Sequence, residues 1–231
     1  MAVTRSVSAA ETARSILSYP ASIDLVVADV ANPTADDPRL GMVEADGVPT
    51  FSCRIGGALS RAAGEGRPCL LTLGSGIGSA GSRERAASVA LAGTLRRTGF
   101  DRCSCCGELR DVVTVEVERV RLAFDGERVT VPAAAFAADG LALNRGYLQR
   151  WRDHANSAHE SELRAAVATR RGRHPKAVVA ASLSALTAES VEIDWVEADG
   201  GHRFRLAFPR VARTGAELGA LLREQLHADL C

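Results

Sequence analysis

Val112-Val-Thr-Val-Glu-Val-Glu-Arg-Val-Arg-Leu-Ala-Phe124 carries the period-two alternation of a β-strand with one buried face. Val113, Val115 and Val117 keep one parity, and Val120, Leu122 and Phe124 keep the other. One extra residue between the two runs returns both to the same face, which is how a β-bulge reads in sequence. Asp125-Gly126 then supplies a two-residue turn into Arg128-Val-Thr-Val131. The first half of the chain is therefore expected to be built on antiparallel hairpins.

Outward from this hairpin the pattern continues as short strands with few helices. Ile23 to Val30, Val48 to Ile55 and Cys69 to Leu73 read as strands, the last bounded by Pro68 and Gly74. Val89 to Leu95 reads as another, with Gly93 suited to a bulge or a close approach. Ala58 to Ala63 predicts a short helix. Ser8 and Glu11 have the spacing of a capping box that opens a helix over Ala9 to Leu17. These elements predict a small antiparallel barrel over residues 1–135.

Pro132-Ala-Ala-Ala-Phe-Ala-Ala-Asp-Gly140 changes the texture and is expected to be a linker, with a second domain over 142–231. That domain opens on a long predicted helix, Asn144 to Arg170, in which Leu148, Trp151, Ala155, Ala158 and Ala166 share a stripe. Gly172 and Pro175 end it. Val178 to Leu186, Val191 to Trp195 and Phe204 to Phe208 follow as strands, the last two joined by Ala198-Asp-Gly-Gly201. Thr214 and Glu217 form a capping box before a final helix that buries Leu218, Leu221, Leu222 and Leu226. The expected fold class is α+β: a barrel, then an α-β-β-β-α domain.

Charge narrows the function. Twenty-eight basic residues balance 28 acidic ones, so the net basic footprint of a nucleic-acid binder is missing. Lys176 is the sole lysine among those cations. No run of about 18 apolar residues is present, so no membrane span is expected. Met1 to Ser8 lacks the basic start and apolar core of a secretory signal. A cytoplasmic location, with the six cysteines as free thiols, is the resulting expectation.

Four motifs bear on chemistry. Gly76-Ile-Gly78-Ser-Ala-Gly81 matches a dinucleotide fingerprint, but that site needs a strand–loop–helix unit that the neighbouring segments do not supply. A glycine-rich loop between barrel strands accounts for the same residues. Cys103, Cys105 and Cys106 offer three thiolates locally, short of the four ligands of a structural zinc or iron–sulfur site. His154 and His159 are five residues apart, or about 140° around an intact helix, so they cannot chelate one ion there. A haem site needs only one axial nitrogen, apolar walls and cations for its propionates; Arg83 and Arg85 beside the glycine loop are candidates for that last role. No GxSxG nucleophile elbow is present.

His154-Ala-Asn156-Ser-Ala-His159, with Leu206-Ala-Phe208-Pro209 and Thr214-Gly-Ala-Glu217-Leu, resembles the small α/β domain of the HugZ-like haem-utilisation family. The two histidines and the asparagine match that family's opening helix, while Ala155 and Ala158 depart from its usual Met and Asp/His. Residues 1–135 are similar to its other half, a split barrel related to the pyridoxamine 5'-phosphate oxidases (FMN-binding-like). The resemblance implies a haem-binding homodimer formed through the barrel. Haem degradation, FMN-dependent oxidation or regulation of a tetrapyrrole enzyme are the activities found or implied on this scaffold. Haem is the cofactor expected, in a cleft between barrel and long helix or at a dimer seam, with Arg83 or Arg85 near a propionate and His154 or His159 lining or ligating it. FMN is the less favoured cofactor, because the barrel segment shows no flavin-phosphate pattern of arginines and lysines. The haem-degrading relatives carry their domains in the opposite order and their axial histidine in a tail after the barrel, so that ligand has no counterpart here.

Overall fold

The alternation read at residues 112–124 belongs to a longer strand, Leu109–Phe124, around which the first half of the computed structural model is organised. Residues 2–35, 37, 40–102 and 107–226 are described. The Cys103, Cys105 and Cys106 cluster and His227 lie outside them. The chain divides into two units, Met1–Gly146 and Tyr147–Cys231.

The first unit runs α1 (Ala2–Ser18), β1 (Pro20–Val27), β2 (Gly41–Ala45), β3 (Val48–Arg54), α2 (Ala58–Gly64), β4 (Pro68–Ser75), β5 (Ser88–Arg102), β6 (Leu109–Phe124), β7 (Glu127–Val131) and α3 (Ala133–Phe136). Its strands form one antiparallel sheet of order β1-β4-β5-β6-β3-β2, with β7 also on β6. The sheet curls as a half-barrel. β6 pairs with β5 along its length and shares its other edge between two partners. Arg110 to Thr114 take β3, and Val120 to Phe124 take β7.

The bulge sits where the parity slips. Ala92 faces Arg119, and the next pair is Gly93 with Val117, leaving Glu118 unmatched. Val113 and Val115 before the bulge and Val120 and Leu122 after it are accordingly all buried. Gly93 is required at this point: a Cβ built on it would lie 2.1 Å from the Glu116 carbonyl oxygen. At the end of β6, Asp125 and Gly126 both take positive φ, 53° and 76°, as a two-residue hairpin turn of right-handed twist demands.

α1 lays Ala10, Ala13, Ile16 and Leu17 into the same core as Leu71, Leu91, Val113 and Phe51. It starts at Ala2, so Ser8 falls inside it and the capping-box reading does not hold. No glycine or proline precedes Ser8 to stop the helix from extending. The alanine-rich stretch expected to be a linker packs into this unit instead. Phe136 is buried, and its carbonyl accepts from Nη1 of the buried Arg14 at 2.9 Å. The other Arg14 nitrogen lies 3.5 Å from Glu44 on β2. Burial pushes the Arg14 pKa down, while Glu44 opposes that shift. β2 itself was not foreseen, since its sequence, Gly-Met-Val-Glu-Ala, is short and only half apolar.

α4 (Arg145–Ala158) begins with the last two residues of the first unit, and the second unit contains the rest of it with α5 (Glu160–Arg171), β8 (Ala180–Leu186), β9 (Ser190–Glu197), β10 (Gly200–Ala207) and α6 (Gly215–Leu226). The strands form an antiparallel sheet of order β10-β9-β8. Leu163, Val167, Leu183, Ile193, Leu218 and Leu222 are buried. The second capping box forms in modified shape. Glu217 N–H donates to Thr214 Oγ1 at 3.2 Å, while the Glu217 carboxylate accepts from Arg213 N–H at 2.8 Å, one residue before the usual partner. The single helix expected over 144–170 is two helices, interrupted at His159.

The bulge makes a direct test of this fold. Gly93→Ala should destabilise the protein by about 3 kcal/mol through overpacking against β6, measured as a drop in urea midpoint with unchanged m-value; Thr94→Ala, on the same strand and half-exposed, is the control.

Candidate functional site

Two places collect the residues nominated by the sequence, one in each unit. In the first unit the loop containing Gly76, Gly78 and Gly81 joins β4 to β5, which pair antiparallel from Gly74 and Ser88. It returns into a strand of the same hairpin, so no strand–loop–helix phosphate cradle is formed. Gly76 N–H donates to the Tyr19 carbonyl at 2.8 Å, and a Cβ there would sit 2.5 Å from that oxygen. Glycine serves close backbone approach at this position. Arg85 closes the loop from inside: its Nη1 donates to the Gly76 carbonyl at 2.5 Å and its backbone N–H to Ser82 Oγ at 3.2 Å.

Arg83 is placed differently. Its guanidinium carbon stands 5.9 Å from the Phe124 ring centroid, its Nη1 3.8 Å from Asp125, and its side chain stays 65% exposed. It borders a cavity of about 330 Å³ whose wall includes Ser15, Ile16, Ile77, Phe124 and Arg145. Glu84 lies between the cations, 4.0 Å from Arg83 and 3.7 Å from Arg145. A hydrogen bond from its own backbone N–H holds the Glu84 carboxyl below the usual range, with Arg145 and Arg83 adding to the effect. The cavity thus has an aromatic wall and two guanidinium groups, offset by the carboxylates of Glu84 and Glu11. Arg145 was missed in the sequence because it stands alone at a helix start, with no motif around it.

In the second unit the helix break changes the relation of the two histidines. His159 has φ −127° and ψ 30°, outside the helical region, between α4 and α5. The imidazole rings of His154 and His159 then meet edge to face with centroids 5.3 Å apart. The separation of about 140° expected for them on an intact helix is therefore corrected. Ala158, assigned to that stripe, is exposed.

Two polar side chains in α4 account for the break. Ser157 Oγ donates back to the His154 carbonyl at 3.1 Å, a local bond that bends helices. Asn156 reaches sideways and clamps the backbone of β8: its Nδ2 donates to Leu183 O at 3.0 Å and its Oδ1 accepts from Leu183 N–H at 2.7 Å. β8 is an edge strand, and the residue after Leu183, Ser184, is an unmatched bulge residue. Asn156 thus satisfies backbone groups that would otherwise face no strand. His154 is exposed and His159 half-buried, with Nδ1 of His159 4.0 Å from Glu162. A neutral imidazole nitrogen at such a place can ligate a metal centre or move a proton.

No family model matches the chain, and the comparison with curated proteins returns no match. Among solved structures the chain is similar to a heme binding protein from Mycobacterium smegmatis, at 17% identity and a TM-score of 0.44, over 95% of this chain and 96% of that one. It is also similar to a protein of unknown function from Agrobacterium tumefaciens str. C58, at 16% identity and a TM-score of 0.43, over 94% of each chain. No helix among the described residues is long and apolar enough to cross a membrane.

The Asn156 clamp predicts that Asn156→Ala costs roughly 1–3 kcal/mol, the penalty for stranding a buried donor and acceptor. Faster amide hydrogen exchange at Leu183 than at Ile193 in the variant would locate the loss on β8.

Proposed function

We propose that this protein binds haem and that the imidazole pair of the second unit supplies the axial nitrogen. The observation that carries the reading is the meeting of His154 and His159 at 5.3 Å, produced by the helix break and held by the Asn156 clamp. Of the two rings, His154 is exposed and His159 is half-buried beside it. Imidazole is the commonest nitrogen ligand of haem iron, and the pair offers either a ligand with a neighbouring proton donor or two alternative ligands. The resemblance of residues 154–159 and 206–218 to the haem-utilisation family supports the same reading. When bound, haem would supply redox-active iron; the chain's part is to hold that iron.

The arginines enter unequally. Arg83 keeps an exposed guanidinium and is the stronger candidate for pairing with a carboxylate, whereas Arg85 already donates to the Gly76 carbonyl. A homodimer formed through the half-barrel is part of this proposal, in keeping with the family resemblance. Haem binding alone is proposed; haem degradation is not part of the proposal.

A second reading, FMN on the half-barrel, draws on the cavity of about 330 Å³ with its Phe124 wall and the Arg83 and Arg145 cations. It ranks second because Glu11 and Glu84 line the same cavity and oppose a phosphate.

Absorption spectroscopy separates the two. Hemin titration should produce a saturable Soret band, with its maximum shifted and affinity at least tenfold weaker in the His154→Ala/His159→Ala double variant. Arg83→Ala should weaken binding by a smaller factor without moving the maximum. Unchanged affinity and spectrum in the histidine variant would reject the ligand assignment, and a bound chromophore with flavin absorption would favour the second reading.

A further inference from the structure

The hairpin at the far end of the second unit's sheet gathers donor groups that the haem reading does not use. We propose that Glu197, Asp199 and His202 form a binding site for a divalent first-row transition-metal ion. One ligand atom from each, a carboxylate oxygen twice and an imidazole nitrogen once, lies within 4.8 Å of the others. Metal bonds of about 2.0–2.2 Å put neighbouring donors of a tetrahedral or octahedral ion about 3.0–3.5 Å apart. Asp199 Oδ1 and His202 Nε2 already stand at 3.0 Å.

The donors are held in place before any ion arrives. Trp195, 4% exposed, faces His202 across the β9–β10 ladder. Its ring stacks on the imidazole with centroids 5.2 Å apart and planes 22° from parallel. Its indole N–H donates to Glu197 Oε1 at 2.9 Å. A single buried indole therefore orients two of the three ligands, the role that outer-shell partners play in metal sites. The third, Asp199, sits in the two-residue turn between the paired Glu197 and Gly200. All three come from one six-residue segment, so no distant loop must close to assemble the site.

The chemistry of the set selects the ion. One imidazole and two carboxylates suit Zn²⁺, Mn²⁺, Fe²⁺, Co²⁺ or Ni²⁺, and the absence of sulfur among the donors disfavours Cu⁺. Three protein ligands leave coordination positions for water. An ion replaces the Asp199–His202 hydrogen bond by two coordinate bonds and displaces any proton on His202 Nε2 to solvent or to Nδ1.

The probe is Ni²⁺ alone, whose binding beside an indole quenches its emission. In Trp151→Phe, Trp195 is the one remaining tryptophan. Saturable quenching with one ion per chain is expected, at least tenfold weaker in His202→Ala and in Asp199→Asn. Titration calorimetry of the chain with both tryptophans should show the same site and the same two losses, which covers any disturbance from Trp151→Phe. The His154→Ala/His159→Ala variant should keep the affinity. No saturable binding, or equal affinity in His202→Ala, or loss in the His154/His159 variant instead, would overturn the proposal. Circular dichroism of each variant establishes that the fold is retained.

Discussion

One unmatched residue, Glu118, lets a single strand serve two neighbours. Without it, Val120 and Leu122 would point away from the core that Val113 and Val115 fill, because a one-residue slip inverts every side chain beyond it. With it, the 16-residue β6 keeps one apolar inner face from Val113 to Leu122 and bends enough to offer β3 and β7 successive parts of one edge. The curl of the sheet and the concave core that α1 fills follow from that bend. Gly93 is the matching concession on β5, a position where backbone meets backbone too closely for any side chain.

Buried charge then ties the periphery to this core. Arg14 of α1 reaches both the Phe136 carbonyl and Glu44 of β2, so one guanidinium links the first helix, an outer strand and the segment after β7. Ser18 Oγ donates to the same Glu44 at 3.2 Å. On the other side, the Arg110 guanidinium on β6 pairs with Asp37 and donates to Ser52 on β3. Asp37 also accepts from Arg54 N–H at 2.8 Å. Such groups contribute little net stability over apolar residues of equal volume, but removing one partner strands the other in a dry interior. They act as constraints on which segments meet, which suits an open sheet whose outer strands β1 and β2 have no further strand to pair with.

The second unit depends on the same economy of edges. Asn156 acts as a surrogate strand for Leu183, and the deformation this imposes on α4 puts His154 against His159. A structural clamp and the candidate ligands thus share the six residues 154–159. Two register positions along that sheet, towards the β9–β10 turn, Trp195 organises Glu197 and His202 by stacking and by its N–H. In both places a side chain that is itself held by the sheet aligns the groups that carry chemistry.

Much of the local structure was legible in the residues. The parity slip in Val112 to Phe124 located the bulge, Asp125-Gly126 the turn, and the alternation of Val191 to Trp195 and Phe204 to Phe208 two of the second unit's strands, because these signals depend on neighbours in the chain. The role of Pro132 to Gly140 was not legible, since burial of Phe136 and its bond to Arg14 join residues 122 positions apart. β2 escaped because its five residues are specified by pairing with β3 rather than by their own pattern. The meeting of His154 and His159 was beyond reach for the same reason. Helical geometry placed them about 140° apart, and the break that brings them together goes with a local bond from Ser157 and with the bond from Asn156 to a strand 27 residues away.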